Sequence, residues 1–328
     1  MISVILPVYN GDGTIRETIE SVLNQTVSEL ELIVINDGSQ DSTLDIVKGF
    51  ADSRLKVFSY FNAGQAASRN RGITHAVGEY IAFIDADDIW KPEKLETQLK
   101  ALQENPHASV AYSWTNHIDD KSQFLRVGCR MTTEGDVYPE LLIGNFIENG
   151  SNPLIRRQAI TEVGDFEITL NPAEDWDLWL RLAARYKFVV VKSPQVLYRV
   201  STNSLSSSSY IEKMEASSLL VIERAFTQAP ESLQYLKKYT LANLYKYLSY
   251  KSLETTPGKQ NSLQAAKCLW QAVKTDASLI SKPVIYKAWL KLAAMTLLPP
   301  QQATKFLTKF PRLSNTSTFC GYTKLSTK

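Results

Sequence analysis

The 328-residue chain reads as an α/β protein, with a mostly parallel sheet over its first 205 residues and an all-helical region over residues 206–328. Three observations lead there. Short apolar runs alternate with amphipathic stretches through the first hundred residues, the pattern of strands joined by crossover helices. A serine-rich segment, Ser201 to Ser209, interrupts the chain with the composition of a hinge, and only helical periodicity follows it. Charge divides at the same place. Residues 1–205 carry 19 Lys and Arg against 28 Asp and Glu, a net −9, whereas the remainder carries 17 against 6, a net +11. Halves of opposite charge are expected to meet different partners.

Taken in order, Ser3 to Val8 is a continuous apolar run expected as a buried strand, and Thr14 to Gln25 places Ile15, Ile19, Val22 and Leu23 on one helical face. Leu30 to Ile35 is the second strand, and Ser42 or Asp41 can cap the helix after it. Leu55 to Phe58 is the third strand, Ala66 to His75 a helix and Tyr80 to Ile84 the fourth strand. Further strands are expected at Val110–Trp114, Phe188–Val191 and Val196–Arg199, with a helix from about Pro172 to Tyr186. The helical half divides into Met214–Phe226, Leu233–Leu253, Ser262–Thr275 and Val284–Leu298, with a frayed tail from Ser314.

With 44% hydrophobic residues, the chain can bury a full-sized core. Its start lacks a secretory pattern and no apolar run reaches the roughly 20 residues of a membrane span, so a cytoplasmic protein is expected. Cys129, Cys268 and Cys320 are too far apart for a zinc site and odd in number, and are expected as reduced thiols. His75, His107 and His117 lack metal-ligand spacing. No nucleic-acid partner is expected.

Ligands of an open parallel sheet bind beyond the carboxyl ends of its strands. Three strand ends carry Pro7-Val8-Tyr9-Asn10, Asn36-Asp37-Gly38-Ser39 and Asp85-Ala86-Asp87-Asp88. Extended alternation puts Asp85 and Asp87 on one side, and two close carboxylates repel unless a cation sits between them. A hard divalent ion sharing its shell with a diphosphate fits such ligands. Any one of these acids would ordinarily be a turn or capping residue; three strand ends together point to a site. In Asn171 to Asp177, Asn171 is expected as a helix cap, Pro172 as the first helical residue and Glu174 as a capping-box acid. Asp175 is left over beside Trp176 and Trp179, where partial burial would raise its basicity. The stretch Gly64 to Gly72, with Arg69 and Arg71, is a weak candidate for approaching a phosphate.

In their order and spacing, PVYN at 7–10, NDGS at 36–39, ASRNRG at 67–72, DADD at 85–88 and EDWDLWLRLA at 174–183 resemble the inverting family 2 glycosyltransferases of GT-A fold. The resemblance covers roughly the first 205 residues. It implies a nucleotide-diphosphate-sugar donor, a uridine one before others, a glycan or lipid-linked acceptor, and a role in cell-surface polysaccharide or glycolipid synthesis. It further implies that Pro7 and Tyr9 line the nucleoside pocket, Asp37 accepts from the base, Asp85 lies near the ribose, Asp87 holds Mn or Mg, and Asp175 is the general base. The resemblance also shows a departure: many relatives carry a histidine where this chain has Ser201, a position that could supply an extra metal ligand and tighten metal binding. A nucleotidyltransferase would want a basic glycine-rich loop after the first strand, and Asn10-Gly11-Asp12-Gly13 is acidic. An inactive nucleotide-sugar-binding module with a helical interaction scaffold is the other alternative. The basic half suggests docking on an anionic membrane at its cytoplasmic face, with Val284, Ile285, Trp289, Leu292 and Met295 as the apolar side of an interfacial helix; the alternative is that these residues pack against neighbouring helices and leave the lysines solvated. Donor and acceptor specificity would lie in loops such as residues 116–151, which have no readable code.

Overall fold

The computed structural model describes residues 1–200, 211–254, 259–310 and 316. The proposed hinge at 201–209, the boundary at 205/206, Ser201, Cys320 and the tail from Ser314, Thr316 excepted, lie outside the described residues. The chain forms two compact units. One comprises Met1–Leu141 with Asn145–Ser201, the other Leu142–Gly144 with Thr202–Lys328.

The first unit is built on a mixed sheet. Its strands are β1 (Ile2–Val8), β2 (Leu30–Asn36), β3 (Leu55–Ser59), β4 (Tyr80–Phe83), β5 (Ile89–Trp90), β6 (Ala108–Ile118), β7 (Phe124–Val127), β8 (Leu154–Arg156) and β9 (Lys187–Arg199). They lie in the order β3-β2-β1-β4-β8-β6-β9-β5, with β7 on β6. The block β3-β2-β1-β4 is parallel, as the alternating pattern requires. Beyond it β8 runs antiparallel to both β4 and β6, while β6 and β9 are parallel. The two short strands expected at 188–191 and 196–199 are one strand, β9, whose register against β6 shifts at Ser113 and Trp114.

Every residue of β1 and β2 is buried, which is why both read as largely apolar rather than alternating; the interior polar exceptions Ser3 and Glu31 hydrogen-bond to each other across the pair. Pro7 is tolerated because β4 pairs with β1 only through Ile5. Helices α1 (Ile15–Leu23), α2 (Thr43–Lys48), α3 (Gln65–His75), α4 (Lys94–Glu104), α5 (Tyr138–Ile143), α6 (Arg157–Val163) and α7 (Glu174–Ala183) complete this part of the chain. On one face of α1, Ile15, Ile19 and Val22 join the core formed by Val4, Leu6, Leu32 and Val34. Helix α3 lies so close to β1 that a Cβ at Gly72 would come within 2.3 Å of Ile5 Cγ2.

The second unit contains α8 (Ile211–Gln228), α9 (Lys237–Leu253), α10 (Lys259–Thr275), α11 (Pro283–Leu297) and α12 (Pro300–Lys309). Thr240 and Asn243 of α9 donate to the carbonyls of Leu142 and Ile143, which accounts for that segment belonging to this unit. The apolar side expected of α11 is corrected here. Ile285, Leu292 and Met295 pack with Tyr250, Leu253, Ala265 and Leu269 in the core of the unit and do not face solvent. No described helix is long and apolar enough to cross a membrane.

Candidate active site

The ends of β1 and β2 are tied together first. The Asn10 N–H donates to Ser39 Oγ at 3.0 Å, and the Gln40 N–H donates to Asn10 Oδ1 at 2.8 Å. Gly38 turns with φ +76°, where a Cβ would lie 3.1 Å from the Asn62 nitrogen. Asp37 is buried beneath this turn. It accepts from the Ala63 N–H at 3.0 Å and the Gly64 N–H at 2.8 Å, and pairs with Arg71 at 3.0 Å. The Asp37 carboxylate thus fixes the loop leading into α3. Pro7 is buried within β1, while the Tyr9 ring just beyond it is 51% exposed, open to stacking.

The loop after β4 is held from two sides. Thr14 Oγ1 donates to the Ala86 carbonyl at 2.8 Å and Thr18 Oγ1 to that of Asp88 at 2.8 Å. From the other side Ser151 Oγ accepts from the Asp85 N–H at 3.0 Å and donates to Asp88. Asp88 is fully buried and also accepts from the Arg199 N–H at 3.0 Å, so it builds the loop from within. Asp85 and Asp87 remain half-buried. Asp85 Oδ1 accepts from Gln65 Nε2 at 2.7 Å and from Arg69 at 2.6 Å. Burial, and then the Asp85 charge, push the Asp87 carboxyl up to about 6. Among the described residues Asp87 has no ion-pair partner; Arg199, which opposes this shift, donates instead to the Asp87 backbone carbonyl.

A carboxylate made unfavourable by burial and a like charge, with hard oxygen ligands only, suits Mg or Mn. Among the described residues no group of three or more His, Cys, Asp or Glu could hold a metal alone. With Asp85 already bound to Arg69 and Gln65, Asp87 is the carboxylate that would hold an ion completing its shell with water and diphosphate oxygens.

Arg69 joins the two halves of the site. It is 2% exposed, its Nη2 bonds Asp85 at 2.6 Å, its Nη1 bonds Glu174 Oε1 at 2.9 Å, and its guanidinium lies 5.1 Å from the Phe166 ring centroid. Gly150 makes room for it, since a Cβ there would sit 2.5 Å from Arg69 Nη2. Burial opposes the cation, but Asp85 and Glu174 hold it firmly protonated. Two sequence expectations are corrected by this arrangement. Arg69 and Arg71 bind carboxylates of the protein, so the stretch 64–72 is not a free phosphate cradle. Helix α7 is N-capped by Ala173 without a side-chain bond, and Glu174 is a buried partner of Arg69 rather than a capping-box acid.

Asp175 follows on the first turn of α7, half-buried. Its Oδ1 accepts from the Trp176 N–H at 2.6 Å, and Asn145 Nδ2 is 3.4 Å from Oδ2. The Trp176 indole N–H donates to the Leu141 carbonyl, and both Trp176 and Trp179 are core. Burial first and the Glu174 charge second raise the Asp175 carboxyl to about 7, against the opposing pull of Arg69. Asp37, Asp85 and Glu174 are therefore tied together through the loop at 63–65 and Arg69, with Asp87 two residues beyond Asp85 and Asp175 next to Glu174 in the chain. Sequence reasoning missed Arg69 as the connection, and with it Ser151 and Asn145. One signal was available: Ala66, Arg69 and Gly72 share the buried face of α3, where an arginine needs carboxylate partners.

The family profile described as glycosyltransferase-like family 2 matches residues 3–252. The chain belongs to this family. An uncharacterized glycosyltransferase of Rickettsia bellii, one of the family 2-like chain's relatives, is 35% identical over 187 residues, covering 56% of this chain and 26% of the relative. The chain thus spans about a quarter of that protein's length. The Escherichia coli UDP-Glc:alpha-D-GlcNAc-diphosphoundecaprenol beta-1,3-glucosyltransferase WfgD is 32% identical over 215 residues, 65% of this chain and 82% of the relative. Among solved structures, Staphylococcus aureus TarS 1-349 in complex with UDP superposes with a TM-score of 0.61 at 20% identity, covering 96% of this chain and 92% of that one. The Pyrobaculum calidifontis mannosyltransferase PcManGT, solved with GDP-Man and Mn2+, gives 0.59 at 18% identity over 96% and 86%. These structural likenesses bear on the fold, which is the GT-A arrangement that the motifs imply, with the helical C-terminal region expected from its periodicity.

Proposed function

We propose that the chain transfers a sugar from a nucleoside diphosphate, a uridine one in the first instance, to an acceptor hydroxyl with inversion at the anomeric carbon. The observation that carries this reading is Asp175, a carboxylate with raised proton affinity, linked through buried Arg69 and Glu174 to Asp85 at the end of β4. In this reading Pro7 and Tyr9 flank the nucleoside, Asp37 meets the base through whatever acceptor capacity Arg71 and the loop amides leave, and Asp85 meets the ribose. Asp87 holds Mn or Mg, which would neutralise charge on the departing diphosphate. Asp175 removes the acceptor proton as that oxygen bonds to the anomeric carbon; the bond from this carbon to the diphosphate oxygen breaks, and nucleoside diphosphate leaves. One displacement inverts the centre.

The Escherichia coli relative named for a diphosphoundecaprenol-linked acceptor supports a lipid-linked acceptor here, in surface glycan synthesis. A place at the cytoplasmic face of an anionic membrane belongs to the same reading. The test is to offer UDP-glucose, UDP-GlcNAc and GDP-mannose with Mn, together with a GlcNAc-diphospholipid, and to determine the product's anomeric configuration by NMR. A β product from an α donor is expected. Retention, or no turnover of any of these donors, overturns the reading; donor binding without turnover would leave the inactive binding module.

A further inference from the structure

Helix α11 is apolar on both sides. Ile285, Ala288, Leu292 and Met295 fill the core of the helical unit. The opposite side carries Tyr286, Trp289, Leu290, Ala293, Thr296 and Leu297, all exposed, with Tyr286 at 64%, Trp289 at 45% and Leu297 at 79%. Their spacing of three, four and seven residues keeps them on one face, and no charged side chain interrupts it. A surface helix normally turns charged residues outward, so an uncharged outer face marks a surface that something covers.

Charge selects among the possible covers. Residues 259–310 hold eight lysines and a single acid, Asp276. Lys282 is exposed at the start of α11, and Lys287 flanks its outer face. On α10, Leu263, Trp270 and Lys274 recur at helical spacing, all exposed. A second copy seated face to face on this same surface would bring like charges together, which costs association. An anionic lipid surface is attracted by the lysines and accepts the apolar residues, and Trp and Tyr suit the headgroup boundary. At 15 residues α11 is shorter than the roughly 20 needed to span, so it would lie in the interface plane.

We propose that the outer face of α11, with the neighbouring lysines, docks on an anionic phospholipid surface. The proposal rests on the transferase reading only for its purpose, which is to bring the enzyme to a lipid-linked acceptor. It also replaces the inward residues Ile285, Leu292 and Met295, which the sequence pattern suggested, by outward ones.

The experiment is flotation of the full chain with vesicles of phosphatidylglycerol and phosphatidylcholine, and with pure phosphatidylcholine, across a salt series. Binding to the anionic vesicles that weakens with salt is expected. The double substitution Leu290→Glu with Leu297→Glu should lower that affinity about 10-fold or more, with the thermal transition retained. Should this variant fold poorly, Lys274→Glu with Lys282→Glu alters exposed charges only and should weaken binding similarly. No preference for anionic vesicles in the parent chain, or undiminished binding of a folded variant, overturns the proposal. So does a dimer in sedimentation that the substitutions dissociate while lipid binding is unchanged. Donor turnover is measured separately without vesicles. A chain that docks yet turns over no nucleotide sugar sinks the transferase reading and leaves the docking face standing; the reverse result does the opposite.

Discussion

Arg69→Met tests the central inference that one buried cation holds the two halves of the site together. Arg69 is 2% exposed and neutralises Glu174, which is 3% exposed, while also binding Asp85. Methionine replaces the stem but leaves both carboxylates uncompensated. Breaking a buried ion pair by removing one partner costs about 3–5 kcal/mol, a large part of the roughly 5–15 kcal/mol by which domains are stable. The loss should depend on pH in a definite direction. Burial already raises the Glu174 carboxyl, and removing Arg69 takes away the strongest opposing influence. A carboxylate whose folded-state value lies above its unfolded one binds more protons when folded, so stability falls as pH rises through the intervening range. Arg69→Met should therefore be more damaging at pH 8 than at pH 5. Adding Glu174→Gln removes the stranded charge, and the double variant should recover about 1–3 kcal/mol relative to the sum of the single changes. Urea unfolding of the four proteins at both pH values measures these quantities. An Arg69→Met protein within about 1 kcal/mol of its parent at pH 8, or additive single changes, would refute the argument.

Four further outcomes are expected. Asp175→Asn should reduce transfer on the order of 10²-fold or more with donor affinity retained, by steady-state kinetics and donor titration; an equal loss of affinity would place Asp175 elsewhere in the cycle. Because Asp175 must be ionised to take a proton and its carboxyl is raised to about 7, the rate should climb through neutral pH. Glu174→Gln, which removes a neighbouring negative charge, should move that rise to lower pH, and an unmoved profile would detach the two residues. Asp87→Asn should weaken Mn-dependent donor binding by calorimetry, and unchanged metal dependence would remove Asp87 from the metal site. Gly72→Ala should destabilise the fold by about 1–3 kcal/mol, because its Cβ would meet Ile5 Cγ2 at 2.3 Å, and a neutral result would mean that α3 can shift.

What the sequence determined by itself is mainly local. The buried strands β1 and β2 follow from short, largely apolar runs and the face of α1 from a period of 3.6, both of which are properties of neighbouring residues. The strand-end acids at 37, 85 and 87 follow from the same reading, because they stand where the runs stop. Tertiary structure decided the rest. The three-residue strand β8 is too short to carry a period, yet it turns a parallel sheet into a mixed one. The apolar residues of α11 could not be assigned to core or surface while they cover more of the helix than its core needs, with only Lys287 and Lys291 charged; packing against α9 and α10 separates Ile285 and Met295 from Tyr286 and Leu297. Glu174 has the local credentials of a helix-capping acid, and its actual role depends on Arg69, 105 positions earlier. A buried charge is satisfied by whatever the fold brings within about 3 Å, and sequence distance carries no information about that.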